Sequence, residues 1–181
     1  MRLVLIAVFL TSCAAPALGQ AGSIGIFADP QGTDCNLVDV IPGLVSFYVV
    51  HVYSSGTTAS HFYAPQPACL NGIYLSTMCI YPIGPCDAQT DVAQGYGFCM
   101  TGSMHVATIA YFLNGLTTPC CHYPVLPSPY SATGEILVVD CADNLLAASG
   151  GEGIINPTPE CMCDVSTAPS TWGRVKALYK N

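Results

Sequence analysis

The chain has 181 residues, 51% hydrophobic and only 8% charged, with four Lys or Arg against eleven Asp or Glu and a net charge of −7. No Lys or Arg falls between Leu3 and Gly173. That excludes nucleic-acid binding, since phosphate contacts need those cations, and it argues equally against an anionic membrane surface. A disordered chain would be charged and poor in aromatics, so one domain with its own core is expected.

Met1-Arg2, the apolar run from Leu3 to Leu10 and the small residues of Ala17-Leu18-Gly19 read as a signal peptide over residues 1–19, cleaved before Gln20. The run is shorter than the ~20 residues that span a bilayer, and no later segment reaches that length unbroken, so no transmembrane segment is expected. Leu10-Thr11-Ser12-Cys13 also reads as a lipobox, in which Cys13 is lipidated and anchors the domain at the cell surface. Either reading places the domain outside the cell, secreted or at its surface.

From there the chain alternates as strands do. Ser23–Ala28 is the first candidate, followed by turn chemistry in Asp29-Pro30-Gln31-Gly32-Thr33-Asp34. Leu44–Tyr53 is the strongest, apolar on both faces and therefore expected in a covered, central position. Thr58–Tyr63, Ile73–Tyr81, Val92–Met100, Met104–Leu113, Gly134–Asp140, Leu145–Ala148 and Gly153–Ile155 follow. Ser54-Ser55-Gly56, Asn71-Gly72, Asn114-Gly115 and Ser149-Gly150-Gly151 supply turns at sandwich-like intervals. The expected fold is all-β, a disulfide-stapled antiparallel sandwich of two sheets over residues 20–165. Residues 166–181 are expected to form a linker and a short C-terminal helix packing on the domain. Ser170 caps it, Trp172, Val175 and Tyr179 share one face, and cations occupy its later turn.

Without Cys13, ten cysteines remain: Cys35, Cys69, Cys79, Cys86, Cys99, Cys120, Cys121, Cys141, Cys161 and Cys163. An even count behind a secretion signal predicts up to five disulfides. Cys120 and Cys121 are adjacent, so in a strand they point apart and take different partners. Cys120-Cys121-His122 and Cys161-Met162-Cys163 lack the Cys-x2–4-Cys spacing of zinc sites, so disulfides are preferred to metal. Asp29, Asp34 and Asp39 around the first turn are the calcium candidates, with Asp140 and Asp143-Asn144 a weaker set; none matches an EF-hand loop.

Several runs stand out across these segments: Gly25-Ile26-Phe27-Ala28-Asp29, Gly32-Thr33-Asp34-Cys35, Gly95-Tyr96-Gly97-Phe98-Cys99, Asp140-Cys141, Ile154-Ile155-Asn156-Pro157 and Ser170-Thr171-Trp172-Gly173-Arg174-Val175-Lys176. Together they resemble an uncharacterised group of secreted, cysteine-rich bacterial β-domain proteins with a tryptophan-containing tail. The resemblance covers nearly the whole mature chain and implies no catalytic activity. By fold analogy the strand order is loosely similar to cohesin-like and other immunoglobulin-like sandwiches.

The chemistry agrees. The chain has no Gly-x-Ser-x-Gly elbow, no His-Glu-x-x-His and no phosphate loop with its lysine. His51 and His105 lie within apolar strands as structural residues, and His61 is expected to be exposed. His122, beside two cysteines, is the histidine best placed to belong to a site. Glu135, Glu152 and Glu160 sit at strand starts or loops, where solvated acids are the rule, rather than as a facing pair 5–10 Å apart. No catalytic residue and no resident cofactor is therefore expected. With no lysine to blunt edge strands, the leading expectation is a non-enzymatic structural or adhesive module that self-associates through those edges. A module binding another extracellular protein or a glycan through its ten tyrosines is the alternative, and a small secreted hydrolase is less favoured.

Overall fold

The computed structural model describes residues 21–81 and 83–163. The expected signal peptide, Cys13 and the C-terminal helix lie outside the described residues. Ten strands run in chain order: β1 (Ser23–Phe27), β2 (Asn36–Leu37), β3 (Gly43–Phe62), β4 (Gly72–Cys79), β5 (Cys86–Asp87), β6 (Asp91–Leu113), β7 (Cys121–Pro124), β8 (Ile136–Asp140), β9 (Leu145–Gly150) and β10 (Glu152–Ile155). No helix occurs among the described residues.

The fold is all-β. A seven-stranded sheet runs β1-β9-β8-β3-β6-β4 with β5 attached to β6, and a three-stranded sheet runs β2-β10-β7. Pairing is antiparallel apart from two short parallel contacts, β1 with β9 and β10 with β2. Ile24, Ile26, Phe47, Val49, Ile109, Tyr111, Tyr123, Val138 and Ile155 fill the core.

β3 and β6 are the spine. The sequence suggests two strands in each stretch, Leu44–Tyr53 and Thr58–Tyr63 parted by Ser54-Ser55-Gly56 in one, and Val92–Met100 and Met104–Leu113 in the other. Instead each is one long strand, and they pair from Gly43–Leu113 to Phe62–Val92 with register shifts between Val49 and Ala59. The shifts let β3 change neighbours. β1 pairs with Tyr48–Val52 and β8 with Thr57–His61. Gly56 lies at the changeover, beneath the Cys99–Cys141 bridge, and a Cβ there would sit 2.8 Å from the Cys141 sulfur.

Ser149-Gly150-Gly151 is likewise no turn. Gly151 alone separates β9 from β10, and the chain passes from one sheet to the other at this diglycine. Gly151 N–H donates to the Ile24 carbonyl at 2.7 Å, and a Cβ on Gly150 would meet the Val125 carbonyl at 2.5 Å. Only glycine permits so close an approach of backbone to backbone.

All ten described cysteines are bridged: Cys35–Cys163, Cys69–Cys121, Cys79–Cys86, Cys99–Cys141 and Cys120–Cys161. The adjacent Cys120 and Cys121 part to different partners. Each bridge restricts the unfolded chain, typically by about 2–4 kcal/mol.

Candidate interaction surfaces

The histidines divide by environment. His51 is fully buried, with Nε2 donating to the Ala21 carbonyl at 2.6 Å. Burial depresses its pKa and outweighs that bond, so the ring is neutral. His105, half-buried, stands edge-on to Tyr48 and is likewise depressed by burial, with Nε2 within 3.0 Å of the Ala107 carbonyl and the Thr108 hydroxyl. His122 Nδ1 pairs with Glu152 Oε1 at 2.9 Å on the surface. Both neighbouring cysteines are oxidised, so it has no thiolate beside it.

His61 is less exposed than expected. Its Nε2 lies 2.8 Å from Asp91 Oδ1, which also accepts from Ser128 Oγ at 2.6 Å. Serine, aspartate and histidine are thus in one cluster, but in the wrong order for hydrolysis. Nucleophilic catalysis needs the histidine between serine and acid, so that it takes the hydroxyl proton. Here the acid stands between them and the serine donates to it.

The acids singled out in the sequence are absorbed by local backbone. Asp29 accepts N–H bonds from Gln31, Thr33 and Asp34 and the Thr33 hydroxyl. Slight burial works against its ionisation, yet these donors together hold its pKa below the usual value. Asp34 accepts from Asn36. Asp39 is buried, with Oδ1 accepting from Gly115 N–H at 2.8 Å and Oδ2 from Thr117 N–H at 3.1 Å. Among the described residues no three His, Cys, Asp or Glu side chains form a group that would hold a metal ion.

Four of the tyrosines serve the interior. Tyr96, Tyr111 and Tyr123 are buried, and Tyr74 packs edge-on against Tyr111. The flat exposed aromatics that a glycan platform needs are not supplied by these residues.

What the sheet does present is an uncharged outer face, which the apolar pattern of Leu44–Tyr53 hid. Val50 and Val52 are covered by a satellite core with Phe27 and Cys35, roofed at Gly32. Nothing described covers the same face further back. Leu44 of β3 stands opposite Phe112 of β6, and Ile73 of β4 stands on the far side of Phe112. These three are 76%, 41% and 63% exposed, and Met78 is 63% exposed two rows along. Between them lie Ser46, Ala110 and Ser76, then Tyr48 and Thr108. Residues 43–49, 72–79 and 107–113 contain no charged side chain. The outer edge of β4 is partly covered, since Gln66 Nε2 donates to the Gly72 carbonyl and Ala88 N–H to the Thr77 hydroxyl.

Clefts also open on the surface. One, of about 320 Å³, is lined by residues of β8, β3 and β6, with Ala59, Ala93, Gly95, Ile83, Val139 and Leu145 among them, and has no carboxylate in its lining. Another, of about 300 Å³, lies beside Cys163 and is lined by Phe27, Val52, Tyr53, His122, Glu152 and Met162 among others. Neither brings two carboxylates together. No helix among the described residues is long and apolar enough to cross a membrane.

No protein-family model matches the sequence, and no curated protein matches it. Solved structures similar in chain path include cohesin modules. One comes from a family 33 glycoside hydrolase of Clostridium perfringens, with 8% identity and a TM-score of 0.46 over 77% of this chain and 99% of that one. Another is a non-cellulosomal cohesin from the archaeon Archaeoglobus fulgidus, with 9% identity and a TM-score of 0.43 over 88% of this chain and 98% of that one. The likeness is one of fold.

Proposed function

We propose that this chain is an extracellular, non-enzymatic module that makes protein contacts through the outer face of β3, β6 and β4, in the first instance with copies of itself. The observation that carries the reading is the row Leu44–Phe112–Ile73, exposed on a face without charge. Soluble monomers rarely leave contiguous large apolar side chains bare. Every charged side chain from Leu3 to Gly173 is acidic, histidine aside. Acidic surfaces of two copies therefore repel each other, whereas a two-fold contact that places this charge-free face against itself does not meet that cost. The chemistry of the clefts supports a binder rather than a catalyst: no nucleophile is activated and no carboxylates are paired.

The test is sedimentation of the mature chain across concentration. Association that persists at high salt and is abolished by Phe112→Asp or Met78→Asp is expected, because both side chains are exposed and their loss leaves the core intact. A wild-type chain that stays monomeric up to about 1 mM, where even a −4 kcal/mol contact registers, overturns the reading.

A further inference from the structure

We infer that the cleft beside Cys163 is the seat of the chain's own C-terminal segment, residues 164–181, with Trp172 in its apolar floor. This proposal uses a different surface from the one assigned to association above and does not rest on it. Three observations converge on it.

The first is where the segment begins. Cys163 is tied to Cys35 by a disulfide, donates its N–H to Asn36 Oδ1 at 3.0 Å and accepts from Asn36 Nδ2 at 3.2 Å. Cys163 itself lines the cleft. Trp172 lies nine residues further on, a tether of at most about 30 Å when fully extended. An attachment so short and so firmly held gives the segment a high effective concentration at this cleft.

The second is charge. Arg174, Lys176 and Lys180 are the only Lys or Arg beyond Arg2. Two acids flank the exit: Asp34 accepts from the same Asn36 amide that holds Cys163, and Glu152, half-exposed, lines the cleft. The other apolar surfaces lack this match. The cleft over β8, β3 and β6 has no acid in its lining, and the face around Phe112 carries none.

The third is shape. Phe27 and Val52 belong to a satellite core that opens into this cleft, and Met162 is largely exposed at its border. A volume of about 300 Å³ accommodates an indole ring with its polar edge toward the rim. The acidic body thereby neutralises part of its charge with the cations of its own terminus.

Trp172 is the sole tryptophan, so its fluorescence reports this contact alone. In the full mature chain its emission is expected at short wavelength and shielded from acrylamide, independently of protein concentration. Met162→Glu and Glu152→Lys, both at exposed positions, should shift it to the red and expose it to quencher, while Phe112→Asp leaves it unchanged. Emission already that of a hydrated indole overturns the proposal. So does a red shift in Phe112→Asp, which places the segment on the sheet face, and so does shielding that is lost on dilution, which places it on a second copy.

Discussion

The hydroxyls of Tyr111 and Tyr123 meet at 2.8 Å between the two sheets, both rings buried and edge-on to one another. They form the middle of a directed chain. Gln89 Nε2 donates to Tyr111 at 3.1 Å, Tyr111 donates to Tyr123, and Tyr123 donates to the Ala64 carbonyl at 3.0 Å. Tyr123→Phe leaves a buried carbonyl and a buried hydroxyl proton without partners, which costs about 1–3 kcal/mol. Tyr111→Phe spares the bond to Ala64 and should cost less. Urea unfolding of the two variants under non-reducing conditions checks the order, and equal losses would show that the chain carries no direction.

The same burial sets an alkaline limit. Desolvation raises the pKa of Tyr74, Tyr96, Tyr111 and Tyr123, most plainly at Tyr123, where the neighbouring Tyr111 adds to it. A raised folded pKa means the native state holds its phenolic protons where the unfolded chain has lost them. The stability is complete below the unfolded value of about 10 and falls as pH rises above it. Tyrosinate absorbance followed during titration should therefore show Tyr96, Tyr111 and Tyr123 ionising only as the fold is lost. Ionisation of these three near pH 10 in a still-folded chain would contradict this.

Much of this architecture was legible from alternation. Ser23–Ala28, Ile73–Tyr81 and Gly134–Asp140 read as strands and are strands to within a few residues. The errors share one cause. Glycine and serine signal turns because they relieve backbone strain, yet Gly56 and Gly150 serve close packing inside or at the end of long strands. β2, β5 and β7 have two to four residues, too few to show a period. The apolar outer face was misread for a different reason. Val50 and Val52 are covered as expected but Leu44 is not, and only the path of the loop from Ala28 to Cys35 separates them. The cleft beside Cys163 depends on the Cys35–Cys163 pairing, 128 residues apart, which spacing does not encode.

Gly56 gives a test of that packing. Its φ of 149° is unfavourable for any other residue, and the Cys141 sulfur lies 2.8 Å from where a Cβ would be. Gly56→Ala should destabilise by about 1–3 kcal/mol. Part of that is a clash with the bridge, so the same substitution in a Cys99→Ala, Cys141→Ala background should cost less. A coupling of at least about 0.5 kcal/mol in the double-mutant cycle is expected. Strict additivity would mean that backbone conformation alone demands glycine here.

Asp39 distinguishes a structural acid from a metal ligand. Its two carboxylate oxygens meet the N–H groups of Gly115 and Thr117, while its own backbone N–H and carbonyl pair with the Asn156 side-chain amide at 2.7 and 2.9 Å. Asn156 Nδ2 also donates to the Thr117 carbonyl at 2.9 Å, so three separate segments are fastened at one buried point. Asp39→Asn keeps the size but replaces one acceptor with a donor that faces another donor. A loss of about 1–3 kcal/mol is expected, equal in calcium and in chelator, because the oxygens are engaged by backbone. Melting temperatures of wild type and variant, each with and without calcium, decide it: a calcium-dependent rise in the wild type that Asp39→Asn abolishes would make Asp39 a ligand instead.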